Sequence, residues 1–178
     1  MAAICVYCSS SEQIDPSYLV LAEAVGAELA AGGHSLVSGG GRVSMMGRVA
    51  RAARAGGAHT VGVIPEHLIR YEVADTEADE LVVVETMRER KRVMDERSDA
   101  FLALPGGLGT FEELFEVWTS ASLGMHAKPV VVLDPDGFYA PLWSYLEDLR
   151  ERGFVRQAAL DQLVRVADVP AAFAALEG

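Results

Sequence analysis

The sequence lacks any apolar run long enough to span a bilayer, which takes about 20 consecutive apolar residues. Its 178 residues begin MAAICVYCSSS, with no basic segment ahead of the short apolar run. A secretory signal peptide needs such a basic segment, so none is predicted. We therefore expect a cytoplasmic protein that does not enter a membrane.

Basic residues are also scarce. The chain has 15 Lys and Arg against 26 Asp and Glu, for a formal net charge of −11. Affinity for nucleic acid polymers comes mainly from Lys and Arg that neutralise phosphates, so this acidic surface disfavours such a partner. A small anionic substrate remains compatible with the charge, because it needs only a few local donors.

Cysteine is limited to Cys5 and Cys8, spaced C-x-x-C. The spacing alone suits a redox pair or part of a zinc site. Both residues lie in a predicted strand, however, where side chains three positions apart point to opposite faces. A single pair also cannot complete a structural zinc site. We interpret the cysteines as buried core residues and predict no metal. The histidines show no ligand spacing and are expected at the surface or in turns: His34, His59, His67 and His126.

Apolar strand-like runs alternate with helical patterns along the whole chain. The predicted strands are 3–8, 35–38, 59–65, 81–84, 100–104, 129–134 and 163–166, and the predicted helices are 16–31, 44–56, 86–97, 110–123, 139–152 and a terminal one from about 170. Unbroken apolar strands joined by helices predict an α/β, Rossmann-like, doubly wound parallel sheet with helices on both faces. We expect a single domain over residues 1–178, with ligands bound beyond the carboxyl ends of the strands. The polar segment 66–80 is expected to be a loop or short helix over that rim.

Two glycine-rich turns follow predicted strands: S-G-G-G-R-V-S-M-M-G at 38–47 and P-G-G-L-G-T at 105–110. Glycine lets the backbone approach a ligand closely, and the N-terminus of a following helix attracts phosphate. Neither turn contains the G-K-[ST] of a P-loop, and the first β–α turn, CSSSEQ, lacks the dinucleotide pattern G-x-G-x-x-G. Each turn alone is equally compatible with a purely structural role. The candidate phosphate-binding glycines are Gly39, Gly40, Gly41 and Gly106.

One charged residue stands on an otherwise apolar helix face. Met87, Arg90, Met94 and Arg97 recur at helical spacing within the predicted helix 86–97. The two methionines suggest that this face packs inward, and a buried arginine needs a partner. The alternative is a solvated basic face, like that of the charged neighbours. We favour a side chain of Arg90 that reaches an anionic pocket.

Two adjacent glutamates follow the second glycine turn. Thr110-Phe111-Glu112-Glu113 fits a capping box, in which Thr110 is the N-cap and Glu113 reaches back to it. Periodicity places both glutamates off the core face, towards the rim. A helix N-terminus favours an ionised carboxylate, which suits stabilising a positive charge that develops in a reaction. From the residues alone, cap and catalyst are equally open for Glu113.

The combination M-R-E-R-K (87–91) and P-G-G-L-G-T-F-E-E (105–113) resembles the signature of the LOG ("Lonely Guy") family. Its members are cytokinin riboside 5′-monophosphate phosphoribohydrolases, often labelled lysine decarboxylases. G-V-I-P at 62–65 and L-G-M-H-A-K-P at 123–129 also stand in family order, so the resemblance covers nearly the whole chain. It implies hydrolysis of the N-glycosidic bond of an N6-substituted AMP to free base and ribose 5-phosphate. It further implies a homodimer that needs no cofactor.

By this resemblance, Arg90 and Glu113 are the catalytic pair. The implied substrate contacts are Glu72, Lys91, Gly107, Leu108, Gly109, Thr110, Phe111, Glu112 and Thr119. The chain departs from common family residues in having Cys8-Ser9-Ser10-Ser11 where many members have Gly-Ser-Ser, Leu108 where many have an aromatic residue, and Ser122 before Leu123. These departures leave the preferred N6 substituent, and activity on plain AMP, open.

Two alternatives to this enzyme remain. A non-enzymatic nucleotide- or molybdenum-cofactor-binding protein would have the same fold, but it would not need the R-K and E-E pairs. A pyridoxal-phosphate decarboxylase would need a lysine for a Schiff base, and the sequence has only Lys91 and Lys128. Lys91 already stands beside the expected anion site, which disfavours the decarboxylase.

Overall fold

Seven short apolar segments form the strands of one parallel sheet. The computed structural model describes residues 1–177, with Tyr71 and Glu72 described by their backbone only. The strands are β1 (Ala3–Tyr7), β2 (Ser35–Ser38), β3 (Thr60–Pro65), β4 (Glu80–Val84), β5 (Ala100–Ala103), β6 (Val130–Leu133) and β7 (Leu163–Val166). Their order is β4-β3-β2-β1-β5-β6-β7, and every neighbouring pair is parallel. The predicted doubly wound sheet is confirmed.

Helices follow the strands as the sequence pattern indicates. They are α1 (Pro16–Ala31), α2 (Ser44–Ala55), α3 (Met87–Glu96), α4 (Leu108–Ser122), α5 (Ala140–Glu151), α6 (Gln157–Leu160) and α7 (Val169–Glu177). α1 begins at a proline behind the N-cap Asp15, whose carboxylate accepts a hydrogen bond from the backbone N–H of Ser17, and it ends at Gly32. No helix in the described part of the chain is long and apolar enough to cross a membrane.

The helices cover both faces of the sheet, and alternate strand residues supply the two cores. α1, α2 and α7 pack on the face that carries Ile4 and Val6, while α3, α4, α5 and α6 pack on the face that carries Cys5 and Tyr7. Cys8 belongs to the first core and Cys5 to the second. Both cysteines are buried and free, so their interpretation as core residues on opposite faces is confirmed.

His34 corrects the expectation that all histidines lie at the surface or in turns. It is buried immediately before β2, where Nδ1 accepts a hydrogen bond from the backbone N–H of Ala2 at 3.2 Å. Its Nε2 lies 3.1 Å from Oε1 of Glu177 in the last helix. The ring therefore joins both ends of the described chain to the sheet. This pairing spans 143 residues, so no local pattern could indicate it.

Candidate active site

The direction of chain winding reverses between β1 and β5, which pair directly in the middle of the sheet. The helix after β1 covers one face and the helix after β5 the other, which opens a crevice at the carboxyl ends of these strands. A cavity of about 200 Å³ lies there, beside the second glycine turn. Its lining includes Ser9, Ser11, Tyr18, Gly106, Gly107 and Phe138.

The second glycine turn starts its helix earlier than the sequence predicted. α4 begins at Leu108 with Gly107 as N-cap, and no side chain caps it. The proposed capping box is therefore wrong: Thr110 lies within the first turn and is buried. Gly106 explains the difference, because a Cβ on Gly106 would lie 2.1 Å from Oγ1 of Thr110. The side chain of Thr110 packs against Gly106, which has no Cβ to clash with it.

This geometry leaves the N-terminus of α4 open to an anion. The first intrahelical bond at this end runs from the N–H of Phe111 to the carbonyl of Gly107 at 3.0 Å. The preceding N–H groups of a helix have no intrahelical acceptor, and they carry its partial positive charge. Gly107, Leu108 and Gly109 are exposed here, as a phosphate-binding turn requires. Phe111 instead packs edge-to-face against Tyr139, with ring centroids 5.7 Å apart.

Arg90 on α3 is buried, only 4% exposed. Its Nε donates to the carbonyl of Val63 at 3.1 Å, and its Nη2 donates to the carbonyl of Gly39 at 2.7 Å. The favoured inward orientation is therefore correct, and the solvated basic face is wrong for this residue. Because a Cβ on Gly39 would lie 2.1 Å from Nη2, the first glycine turn is needed to seat the guanidinium.

Lys91 joins α3 to α4. Its Nζ lies 2.9 Å from Oε1 of Glu112 and also contacts the carboxylate of Glu116. The hydrogen bond to Glu116, together with that to Glu112, raises the pKa of Lys91 against the opposing effect of its partial burial. The ammonium group therefore stays charged and neutralises two carboxylates at the edge of the site.

Glu113 lies on the side of α4 that faces α3. It lines a small cleft with Tyr7, Lys91, Asp95 and Glu116 among others. Burial raises the pKa of Tyr7 well above its usual value, and the negative charge of Glu113 adds to that rise. The carboxylate therefore lies close to the end of β1, at the same rim as Arg90 and the second glycine turn.

The rim segment, residues 66–79, confirms the expectation of short helical structure over this edge. A 3₁₀ turn over Glu66–Leu68 is followed by a π-type turn over Ile69–Val73. The segment then pairs with the first glycine turn: the N–H of Arg42 donates to the carbonyl of Val73 at 2.9 Å. The side chain of Glu72 lies outside those the structure describes, so its substrate contact stays a prediction.

Some of the predicted substrate contacts do not lie beside the second glycine turn of the same chain. Thr119 is exposed on the other side of α4, where it lines a groove with Phe115, Trp118 and Leu146. Gly39, Gly40 and Gly41 are buried against Arg90 and the rim segment, so their part in phosphate binding stays a prediction. Among the described residues, no group of three or more His, Cys, Asp or Glu could hold a metal ion.

Sequence reasoning missed two features that shape the site. The hydroxyl of Thr86 caps α3 by accepting from the N–H of Glu89 at 3.1 Å, and Glu89 accepts in turn from the N–H of Glu85 at 3.0 Å. T-M-R-E at 86–89 has the sequence pattern of a capping box, so the Thr86 cap could have been found, although Glu89 bonds the N–H of Glu85 and not that of the N-cap. The ion pair of Arg54 with Asp75 has no local signal, because 21 residues separate its members.

The fold and the site together define a doubly wound α/β protein with an exposed, glycine-led helix N-terminus, a buried arginine and a nearby glutamate. The family model described as "Possible lysine decarboxylase" matches residues 46–176. A cytokinin riboside 5′-monophosphate phosphoribohydrolase of Mycobacterium marinum is 53% identical over 92% of this chain and 87% of its own length. One of Mycobacterium tuberculosis is 51% identical over 93% and 88%. The chain belongs to this family, the LOG family.

Solved structures of low sequence identity share the fold. The molybdenum cofactor binding protein of Rippkaea orientalis superposes with a TM-score of 0.75 at 23% identity, over 98% of this chain and 94% of that one. The molybdenum cofactor carrier protein of Chlamydomonas reinhardtii gives 0.74 at 22% identity, over 98% and 95%. At such identities the likeness concerns the fold alone.

Proposed function

We propose that this chain, acting as one domain, hydrolyses the N-glycosidic bond of cytokinin riboside 5′-monophosphates to free base and ribose 5-phosphate. Relatives named for this activity are aligned over most of their length. The observation that carries the proposal is the buried Arg90 on α3, seated at the same strand ends as Glu113 and the open N-terminus of α4.

The second glycine turn is the proposed phosphate site. The N–H groups of Leu108, Gly109 and Thr110 face the exposed end of α4, where the helix dipole favours an anion. Binding the phosphate there fixes the nucleotide at a point remote from the scissile bond. That binding energy helps to hold the ribose in a reactive orientation.

Glu113 is the proposed catalytic carboxylate. When the bond between C1′ of the ribose and the purine nitrogen breaks, positive oxocarbenium character develops on the sugar. A fixed carboxylate stabilises that charge and orients the water whose oxygen forms the new bond to C1′. One proton of this water is released as the bond forms, and the departing base takes up one proton.

Arg90 is the proposed second catalytic residue. Two backbone carbonyls hold its guanidinium, so its positive charge is preorganised rather than gathered from solvent during the reaction. It positions the nucleotide or stabilises negative charge on the departing base. Lys91 and Glu112, which pair with each other at the edge of the site, are proposed substrate contacts.

We further propose a cytoplasmic homodimer. The groove between α4, α5 and α6 is lined in part by the apolar side chain of Phe154, which is 73% exposed. Covering this face with a second copy would remove apolar surface from water and place Thr119 at the interface. Light scattering after size-exclusion chromatography tests the dimer, and Phe154→Asp should shift the mass towards the monomer. Cell fractionation tests the location.

The decarboxylase description has little chemical support in this chain. A Schiff-base lysine reacts as the neutral amine, whereas the pKa of Lys91 is raised by its contacts with Glu116 and Glu112. Nζ of the other lysine, Lys128, lies 2.6 Å from Oδ1 of Asp95 and 2.6 Å from the backbone carbonyl oxygen of the same residue.

A panel of nucleoside monophosphates, with and without N6 groups, tests the proposed function. We expect release of free base and ribose 5-phosphate, with Glu113→Gln lowering kcat by about 10²–10³, as for loss of a preorganised charge. Glu96→Gln, which alters an exposed carboxylate on α3, is the control and should retain activity. Tight binding of intact nucleotides without base release would instead support a non-enzymatic nucleotide or cofactor carrier.

A further inference from the structure

A bidentate ion pair ties α2 to the rim segment. Nη1 of Arg54 lies 2.7 Å from Oδ2 of Asp75, and Nη2 lies 3.2 Å from Oδ1. The two side chains are only 17% and 6% exposed. Two parallel charge-assisted bonds fix the orientation of both groups, and removal of Arg54 would leave the buried carboxylate of Asp75 without its cation, whereas Nη2 of Arg54 also lies 3.5 Å from Oε2 of Glu77. The pair is therefore a stiff connection rather than a loose surface contact.

The backbone of Asp75 continues this connection into the first glycine turn. Its N–H donates to the carbonyl of Gly40 at 2.8 Å, and Ala74 forms an antiparallel bridge with Gly41. The carbonyl of the adjacent Gly39 accepts from Arg90. A continuous series of contacts thus runs from Arg54 through Asp75 and the first glycine turn to the guanidinium of Arg90.

A strained residue beside this connection indicates that it is held in place. Val73 has a φ of +47°, which is unfavourable for a β-branched residue. Gly40 has a φ of +71°, which glycine adopts without strain but other residues rarely do. A Cβ on Gly40 would also meet the backbone nitrogen of Val63 at 3.0 Å. Strained residues of this kind persist only where the surrounding contacts determine the conformation. The ion pair at Asp75 supplies such contacts, two residues after Val73.

We propose that Arg54 and Asp75 are positioning residues for the nucleotide site. The pair holds the rim segment on the first glycine turn, which keeps the carbonyl of Gly39 directed at Arg90. It also holds the segment that contains Glu72, three positions before Asp75 in the sequence. The kinetic part of this inference rests on the proposed hydrolase function, whereas its structural part does not.

Asp75→Asn and Arg54→Met test the pair, with Arg54→Lys as a milder variant that keeps the charge but loses the bidentate fork. We expect KM to rise about tenfold, a typical coupling through contiguous contacts, because the rim segment binds the nucleotide in both ground and transition states. We expect kcat to change less than about threefold, since Arg90 keeps its bond to Val63. Arg54→Lys should give an intermediate KM.

Hydrogen–deuterium exchange supplies a readout that does not depend on turnover. Peptides covering residues 39–43 and 66–79 should exchange faster in Asp75→Asn and in Arg54→Met than in the wild type, while peptides of β5 should not. Glu23→Gln is the matched control, because its ion pair with Arg48 joins α2 to α1 instead of to the rim segment. Thermal melting sets the assay temperature below the transition of each variant, and Arg54→Lys serves where the stronger variants do not fold.

The outcomes separate the two proposals. Unchanged KM and unchanged exchange in Asp75→Asn and Arg54→Lys would overturn the positioning role, as would an equal rise of KM in Glu23→Gln. A wild-type protein that releases no base, but whose rim segment loosens in these variants, would refute the proposed function and leave the positioning role standing.

Discussion

Nη2 of Arg90 donates to the carbonyl of Gly39 at 2.7 Å, and a Cβ on that glycine would lie 2.1 Å from the same nitrogen. A side chain at position 39 and the guanidinium of Arg90 would therefore occupy the same space. This relationship gives the first glycine turn a physical purpose that does not depend on any ligand: it seats a buried cation beside the crevice.

Gly39→Ala should therefore displace Arg90 and remove its preorganised charge. We expect the kcat for base release to fall by about 10²–10³, the effect of losing one such group. Steady-state assays of base release measure the change. Gly33→Ala is the control, because Gly33 has a φ of +69° with no neighbour within 4 Å of an added Cβ. It should lower the melting temperature through backbone strain while kcat stays unchanged; an equal loss of kcat would contradict the assignment.

The strands and most helices could be predicted because their signals are local. Unbroken apolar runs identified all seven strands, and Pro16 and Gly32 marked the ends of α1. The start of α4 could not be placed in this way. Thr110 has the sequence pattern of an N-cap, but its contact with Gly106 lets the helix begin two residues earlier, at Leu108. A tertiary packing detail outweighed a local propensity.

At the candidate site, the inward orientation of Arg90 could be predicted but its bonding partners could not. Helical periodicity indicated that Arg90 faces inward, yet its acceptors at Val63 and Gly39 lie 27 and 51 residues away. The same holds for Arg54 with Asp75. Such pairs form only when the sheet brings the strand ends together, so a single sequence carries no local signal for them.

Gly106→Ala should disturb the proposed phosphate end of the site. The added Cβ would lie 2.1 Å from Oγ1 and 2.6 Å from Cβ of Thr110, so the first turn of α4 must shift. Loss of one hydrogen bond to a charged group costs about 1.5–3 kcal/mol, which corresponds to a rise in KM of about 10- to 100-fold. In steady-state assays, KM for the nucleotide and the inhibition constant of ribose 5-phosphate should both rise. The inhibition constant of free adenine should not change; an equal rise in that constant would show that the substitution does not act through the phosphate end alone.

Lys91→Met should reveal the contribution of the Lys91 ion pairs to stability through its pH dependence. The contacts with Glu116 and Glu112 raise the pKa of Lys91 above its ordinary value of 10.5. A raised pKa means that the stabilisation is complete below the unfolded-state value and is lost as pH rises through the folded-state value. The melting temperature of the wild type should therefore exceed that of Lys91→Met between about pH 7 and 9, and this difference should shrink above about pH 10.5.

Arg92→Met is the control for this alkaline effect. Arg92 forms an exposed ion pair with Glu96 on the same helix, 2.8 Å apart, but a guanidinium stays protonated over this pH range. The difference between wild type and Arg92→Met should therefore stay constant. A difference for Lys91→Met that is equally constant up to about pH 11 would exclude the ion-paired ammonium as its source.

Thr86→Ala should destabilise the helix that carries Arg90 and Lys91. The hydroxyl of Thr86 accepts from the N–H of Glu89 at 3.1 Å, while Glu89 accepts from the N–H of Glu85, so two backbone donors at the start of α3 have acceptors. Loss of such an N-cap typically costs about 1 kcal/mol, measurable as a lower midpoint in urea unfolding. Thr86→Ser keeps the hydroxyl and should retain nearly full stability. Thr110→Ala breaks no cap in this structure, so any loss of stability there must come from packing against Gly106. Equal stability of Thr86→Ala and wild type would contradict the N-cap role of Thr86.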